Sequence, residues 1–225
     1  MSDFKLDAAS QNAIGILGGT FDPVHNAHLA LARAAMTGLG LSGVRWIPSG
    51  RPGHRDAPAT PVEHRLAMLQ LALAGEPCFT LDNADALSAE PTYTINTLAR
   101  LRRELGPQVP LAFIIGTDQL MALDSWRDWQ QLFESTHFAV AERPGYPMAL
   151  EQLSPALATE LAARSTKRID DQPAGNIARF AMPPSDLSAT AIRRALARNE
   201  HPGTSLPATV LAYIQSHHLY SDPIH

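Results

Sequence analysis

The chain has 225 residues, 45% hydrophobic and 18% charged, and 18 Lys+Arg against 22 Asp+Glu give a formal net charge of −4. This is a globular composition, long enough to bury roughly 70% of its unfolded surface, and its mild acidity argues against a protein that coats nucleic acid. The lone Cys78 excludes a disulfide framework and favours a reducing, cytoplasmic compartment, while a polar start (MSDFKLDAAS) and the lack of any 18-residue apolar run argue against a secretory signal and a membrane span.

Ala13 to Gly18 is a short apolar run closed by a glycine pair, the pattern of a strand buried on both faces. Asn26–Met36, rich in Ala and Leu, predicts a helix. Val44–Pro48 predicts the second strand, and Ser49–Pro61, rich in proline and glycine, a loop. Leu66, Leu69 and Leu73 give Pro61–Ala74 helical spacing. Cys78–Leu81 is the third expected strand, with Cys78 as a small buried residue, and Thr94–Leu105 the third helix. Strands follow at Pro110–Ile115 and His137–Ala141, then a helix at about Ala149–Ala163 and a strand at Ile177–Met182. Helices at Ala189–Asn199 and Ala208–His217 end the pattern, with the histidines beyond as helix end and tail. Such alternation predicts βαβ units on a parallel sheet, hence an α/β, doubly wound fold in a single domain over 13–220. Residues 1–12 are expected as an extension and 221–225 as a tail.

Ligands of such sheets bind beyond the carboxyl ends of the strands, so the first strand-to-helix loop matters most. It runs Gly18-Gly19-Thr20-Phe21-Asp22-Pro23-Val24-His25-Asn26-Ala27-His28. Paired glycines let backbone approach a phosphate, and the helix N-terminus behind them offers unpaired N–H groups. It is neither a Walker loop nor a G-x-G-x-x-G fingerprint. His25 and His28, three apart, share one side of the opening turn, where imidazoles can donate to phosphate oxygens. Zinc is disfavoured, because the i, i+4 spacing and the neighbouring Glu are missing, so no metal ligand is assigned. Near the end, Ser188 and Thr190 with Arg193 one turn along form an anion site at a helix start.

The GGTFDPVHNAH string resembles the HxGH nucleotidyltransferase signature, and GGTFDPVH in particular resembles bacterial nicotinate-nucleotide adenylyltransferases; the motif glycine is Ala27 here. The resemblance spans about Ala13 to Tyr220. Pro91-Thr92-Tyr93-Thr94 resembles the family's SYT/TYT element; by itself it is a helix start capped by Thr92 or Thr94. Phe113–Asp118 resembles the strand-then-G-x-D element, Arg143–Pro147 the RPGYP turn, and Leu187–Arg193 the I-S-x-T-x-I-R signature. Trp126 and Trp129, three apart, suggest a core stripe, which fits Trp129.

The resemblance implies a Rossmann-like fold and transfer of AMP from ATP to nicotinate mononucleotide, giving deamido-NAD and pyrophosphate. It implies that Gly18, Gly19, Thr20, Phe21, Gly116 and Asp118, with Ser188 and Thr190, hold ATP, Gly116 letting adenosine lie against backbone. It assigns His28, His25 and Arg193 to catalysis. Tyr93, Thr94, Trp126, Arg127, Arg143 and His54 are implied for the mononucleotide, Trp126 by stacking and Thr94 and Arg127 through backbone N–H groups. Mg2+ is expected with ATP. Partners are then small molecules, with neither nucleic acid nor membrane; oligomeric state is open. Nicotinamide mononucleotide or phosphopantetheine as acceptor, and a non-catalytic nucleotide sensor, are the competing readings.

Overall fold

The apolar runs become strands β1 (Ile14–Gly19), β2 (Gly43–Pro48), β3 (Phe79–Leu81), β4 (Leu111–Gly116), β5 (His137–Glu142) and β7 (Ile177–Ala181), and an unexpected pair of exposed polar residues forms β6 (Ser165–Thr166). This computed structural model describes residues 12–50, 60–142, 152–169, 171–183 and 185–221. Among the described residues, these seven strands join one sheet in the order β3-β2-β1-β4-β5-β7-β6, with every pairing parallel. From β1 the chain first winds outward through β2 and β3, then returns to place β4 on the other side of β1. The order therefore reverses between β1 and β4, where Ile16 lies level with Phe113, and that reversal opens a crevice.

Among the described residues, eight helices cover the faces: α1 (Asn26–Leu39), α2 (Val62–Leu73), α3 (Thr94–Leu105), α4 (Thr117–Met121), α5 (Trp129–Ser135), α6 (Pro155–Arg164), α7 (Ala189–Ala197) and α8 (Ala208–Ser216). Strand alternation divides the core in two. Leu17, Ala112, Ile114, Ala139 and Ala141 face one layer, with Leu29, Met68, Ile192 and Val210 of α1, α2, α7 and α8. Ile16, Leu111, Phe113, Ile115, Phe138 and Val140 face the other, with Leu98, Leu132 and Leu157 of α3, α5 and α6. The single-domain α/β expectation holds.

Several expectations need correction. The tryptophans at 126 and 129 are not on one helix: Trp126 is extended after a 3-10 turn (Leu123–Ser125), and Asp128 is left-handed (φ 52) before α5 begins. Trp129 does pack on the second core layer, edge-on to Phe133 at 6.3 Å. The helix expected from Ala149 starts at Pro155, because Ser154 caps it by accepting from the Leu157 N–H at 3.2 Å; residues 149–151 lie outside the described ones. Cys78 is half-buried and precedes β3 rather than lying within it. The cap of α3 is Tyr93, without a side-chain bond, instead of Thr92 or Thr94. Among the described residues, no helix is long and apolar enough to cross a membrane.

Gly50, after β2, shows how tightly the crevice wall is built. A Cβ there would lie 2.7 and 2.8 Å from the carbonyl oxygens of Asp85 and Ala86. Gly50→Ala is therefore expected to destabilise the fold by ~1–3 kcal/mol, because backbone yields less than a flexible side chain. Thermal unfolding measures this, and an unchanged Tm would contradict the packing.

Candidate active site

The first loop leaves β1 through Gly18 and Gly19. A Cβ on Gly19 would lie 2.9 Å from the Phe21 ring, so glycine is what lets that ring fold back over the loop. Phe21 is buried, with φ of 50, a region that bulky residues seldom enter. Its ring lies 5.1 Å from that of His28 and 5.3 Å from Trp46. Any contact of Phe21 with a nucleotide thus falls to its main chain.

His25 is the N-cap residue of α1, and its N–H donates to Nδ1 of His28 at 3.2 Å. The two rings stack with centroids 3.7 Å apart and planes inclined by 21°. Because Nδ1 of His28 accepts, the proton of the neutral ring sits on Nε2, which is left to donate. Burial lowers the His25 pKa from 6.5 to about 4. Burial, together with the charge of His25, holds His28 well below its ordinary value. In the free chain at neutral pH both imidazoles are uncharged. Nδ1 of His25 is buried without a partner among the described residues. Ala27 sits in the first turn of α1 and packs against the first core layer.

Arg193, on α7, reaches this loop: its Nη1 donates to the Asp22 carbonyl at 2.6 Å, and its Nη2 lies 3.5 Å from the Thr190 hydroxyl. Ser188 caps α7 by accepting from the Ala191 N–H at 3.2 Å. Arg193 thus ties the start of α7 to the loop that leads into α1.

At the other end of the loop lies a cavity of about 460 Å³, in the crevice between β1 and β4. Gly18, Gly19, Thr20, Tyr93, Thr94, Asp118, Trp126 and Arg127 all line it. Trp126 stands edge-on to Phe113 at 6.0 Å. The Arg127 guanidinium lies 4.9 Å over the Tyr93 ring. Thr94 opens α3, where a peptide N–H has no acceptor within the helix. Gly116 does not line the cavity; its N–H donates to Oε1 of Gln119 at 3.1 Å. A Cβ on it would meet Oδ1 of Asp118 at 2.5 Å, so that carboxylate lies close against the Gly116 backbone. His54 and Arg143 lie outside the described residues.

The cytidylyltransferase-like family profile matches residues 16–195. The chain is 44% identical over 210 residues to a probable nicotinate-nucleotide adenylyltransferase of Dechloromonas aromatica, covering 92% of this chain and 97% of that one. A protein of the same description from Laribacter hongkongensis is 47% identical over 209 residues, covering 92% and 94%. The chain belongs to the nicotinate-nucleotide adenylyltransferase family. The Plasmodium falciparum nicotinic acid mononucleotide adenylyltransferase complexed with NaAD shares its fold, with TM-score 0.71 and 18% identity over 95% of this chain and 100% of that one. As an adenylyltransferase, the chain is an enzyme, as its motifs predict.

Other residues of this adenylyltransferase site escaped the sequence. Asp85 lines the cavity while accepting from Nη2 of Arg100 at 3.2 Å and from the Thr97 hydroxyl. Arg65 is fully buried beneath the loop. A signal for it existed: four and seven residues before Leu69 and Ala72, it puts a charge into the apolar stripe of α2. Among the described residues no group of three His, Cys, Asp or Glu is arranged for a metal ion.

The buried histidines make stability depend on pH. Unfolded, His25 takes up a proton near 6.5; folded, it resists until about 4. Between those values the unfolded chain binds more protons, so stability is full above 6.5 and falls as pH falls. His25 is expected to account for about 2 kcal/mol of the loss between pH 7 and 5. Urea unfolding at both pH values should therefore show a loss smaller by that amount in His25→Asn; equal losses would contradict the burial effect.

Proposed function

We propose that the chain transfers AMP from ATP to nicotinate mononucleotide, and that its reaction runs by direct in-line attack of the mononucleotide 5′-phosphate on the α-phosphorus. The observation that carries this reading is the single loop with two unlike ends. Gly18 to Thr20 border the aromatic cavity, and farther along the loop come the Asp22 carbonyl that Arg193 holds and the stacked His25 and His28. Two substrates placed at these ends would meet along the loop.

In the cavity, the Trp126 indole offers a flat face to the pyridine ring, and the N–H groups of Thr94 and Arg127 are assigned to its carboxylate. A phosphate monoester has a second pKa of about 6, so the nucleophile needs no general base. The protein positions the reactants and stabilises charge. Nε2 of His28 donates to the α-phosphate as charge builds, and His25 helps hold the phosphates. A bound polyphosphate opposes the burial effect on both rings and favours their protonation. Arg193, with Ser188 and Thr190 at the start of α7, grips the leaving pyrophosphate; its planar fork suits two phosphate oxygens.

Magnesium arrives with ATP as part of that substrate. The phosphate-facing side chains are imidazole, hydroxyl and guanidinium, so phosphate oxygens and water supply its ligands. Small molecules are the only partners this scheme needs. The single unpaired cysteine fits a cytoplasmic setting.

His28→Ala should lower kcat at least ~10²-fold, about 2.7 kcal/mol of barrier, with little loss of substrate binding. A folded mutant with near-normal turnover would remove that role. Trp126→Ala should chiefly raise KM for the mononucleotide, and an effect confined to ATP would contradict the stacking assignment.

A further inference from the structure

Beneath the first loop lies a set of polar contacts that the scheme above does not use. Arg65, on α2, is 1% exposed, and its Nη1 donates to the carbonyl oxygens of Thr20 and Ser49, each at 2.8 Å. Thr20 and Ser49 both line the cavity, whereas Arg65 does not. One guanidinium therefore pins the segment after β1 to the segment after β2. The Ser49 N–H, donating to the Gly19 carbonyl at 2.9 Å, closes the same junction. Burial works against the charge of Arg65, and Asp22 with Tyr220 supports it.

Asp22 is the second node. It is 5% exposed, and Oδ1 accepts from the Tyr220 hydroxyl at 2.6 Å, across 198 positions of sequence. Its carbonyl holds Arg193. The side chain of Asp22 thus faces the end of the chain while its backbone faces the anion site. Asn26, one residue past the N-cap, fixes the next point by donating to the Thr204 carbonyl at 2.7 Å. Tyr220 itself lies beyond the end of α8 and lines no part of the cavity.

We propose that Arg65, Asp22 and Tyr220 are positioning residues for the reaction: Arg65 sets the cavity end of the loop, and Tyr220, through Asp22, sets the Arg193 end. The proposal rests on the reaction assigned above. In-line displacement needs both reactants held in register, and a misplacement of about 1 Å costs up to ~10²-fold in rate. Each half of the set touches a different end of the loop, so the two halves should leave different kinetic marks. A set that merely stabilised the fold would leave none in the folded fraction.

The test measures pyrophosphate release by the full chain with MgATP and nicotinate mononucleotide, well below each variant's Tm, for the wild type, Tyr220→Phe and Arg65→Lys. Tyr220→Phe deletes one oxygen and should lower kcat ~10-fold, with KM for the mononucleotide within about twofold. Arg65→Lys keeps the charge but ends one bond short of the Nη1 position that holds both carbonyls, and should raise that KM ~10-fold with a smaller change in kcat. Wild-type constants in both variants, or losses matching only the unfolded fraction, would overturn the proposal. If Arg65→Lys does not fold, Tyr220→Phe decides alone. An inactive wild type would instead overturn the assigned reaction, and the proposal with it.

Discussion

A loop that offers its backbone to phosphate faces two opposed demands. It must stay thin and unprotected on one side, yet keep one conformation without a side-chain core of its own. In this chain the conflict is met from below, by guanidinium groups bonded to main-chain carbonyls: Arg65 to Thr20 and Ser49, and Arg193 to Asp22. Charged donors to neutral acceptors are stronger than ordinary backbone bonds, and burial of Arg65 strengthens them further. The cost is a desolvated cation, which is tolerable only because Asp22 is buried nearby. The stacked histidines, the cavity rim and the anion site all take their positions from this one segment.

The sheet explains why the segment lies where it does. Reversal of strand order at β1 leaves its carboxyl end beside that of β4, with no crossover helix filling the space. Into that space project the start of α3, the turn before Trp126 and the first loop, each carried on a strand or helix with a well-packed base. The small side chains that β4 and β5 present to the α1 side, Ala112, Ala139 and Ala141, belong to the layer that seats that helix. Packed elements thus deliver the loops to a defined place.

Much of this was legible in the sequence, for identifiable reasons. Long elements with a clear period came through: α3 spans Thr94–Leu105 as expected, and the strand and helix alternation implied the parallel sheet. Short elements without a period did not. The five residues of α4 and the two of β6 carry no repeat to detect. The spacing of Trp126 and Trp129 pointed to the core, and both pack on its second layer, but it did not show that the left-handed Asp128 separates them. Local motifs brought Tyr93, Thr94, Trp126 and Arg127 into one cavity, since each sits at the end of a predictable element. The contacts of Asp22 were hidden for another reason: they join residues 171 and 198 positions apart, and nothing local to Tyr220 or Arg193 names Asp22 as their partner.

The central claim is that the aromatic cavity and the phosphate site act on one pair of substrates along a shared loop. Pyrophosphate release with MgATP, measured in parallel for nicotinate mononucleotide, nicotinamide mononucleotide and phosphopantetheine, tests it most directly. The account predicts rapid release with nicotinate mononucleotide and much slower release with the other two. Equal rates for all three acceptors, or release with none, would contradict it.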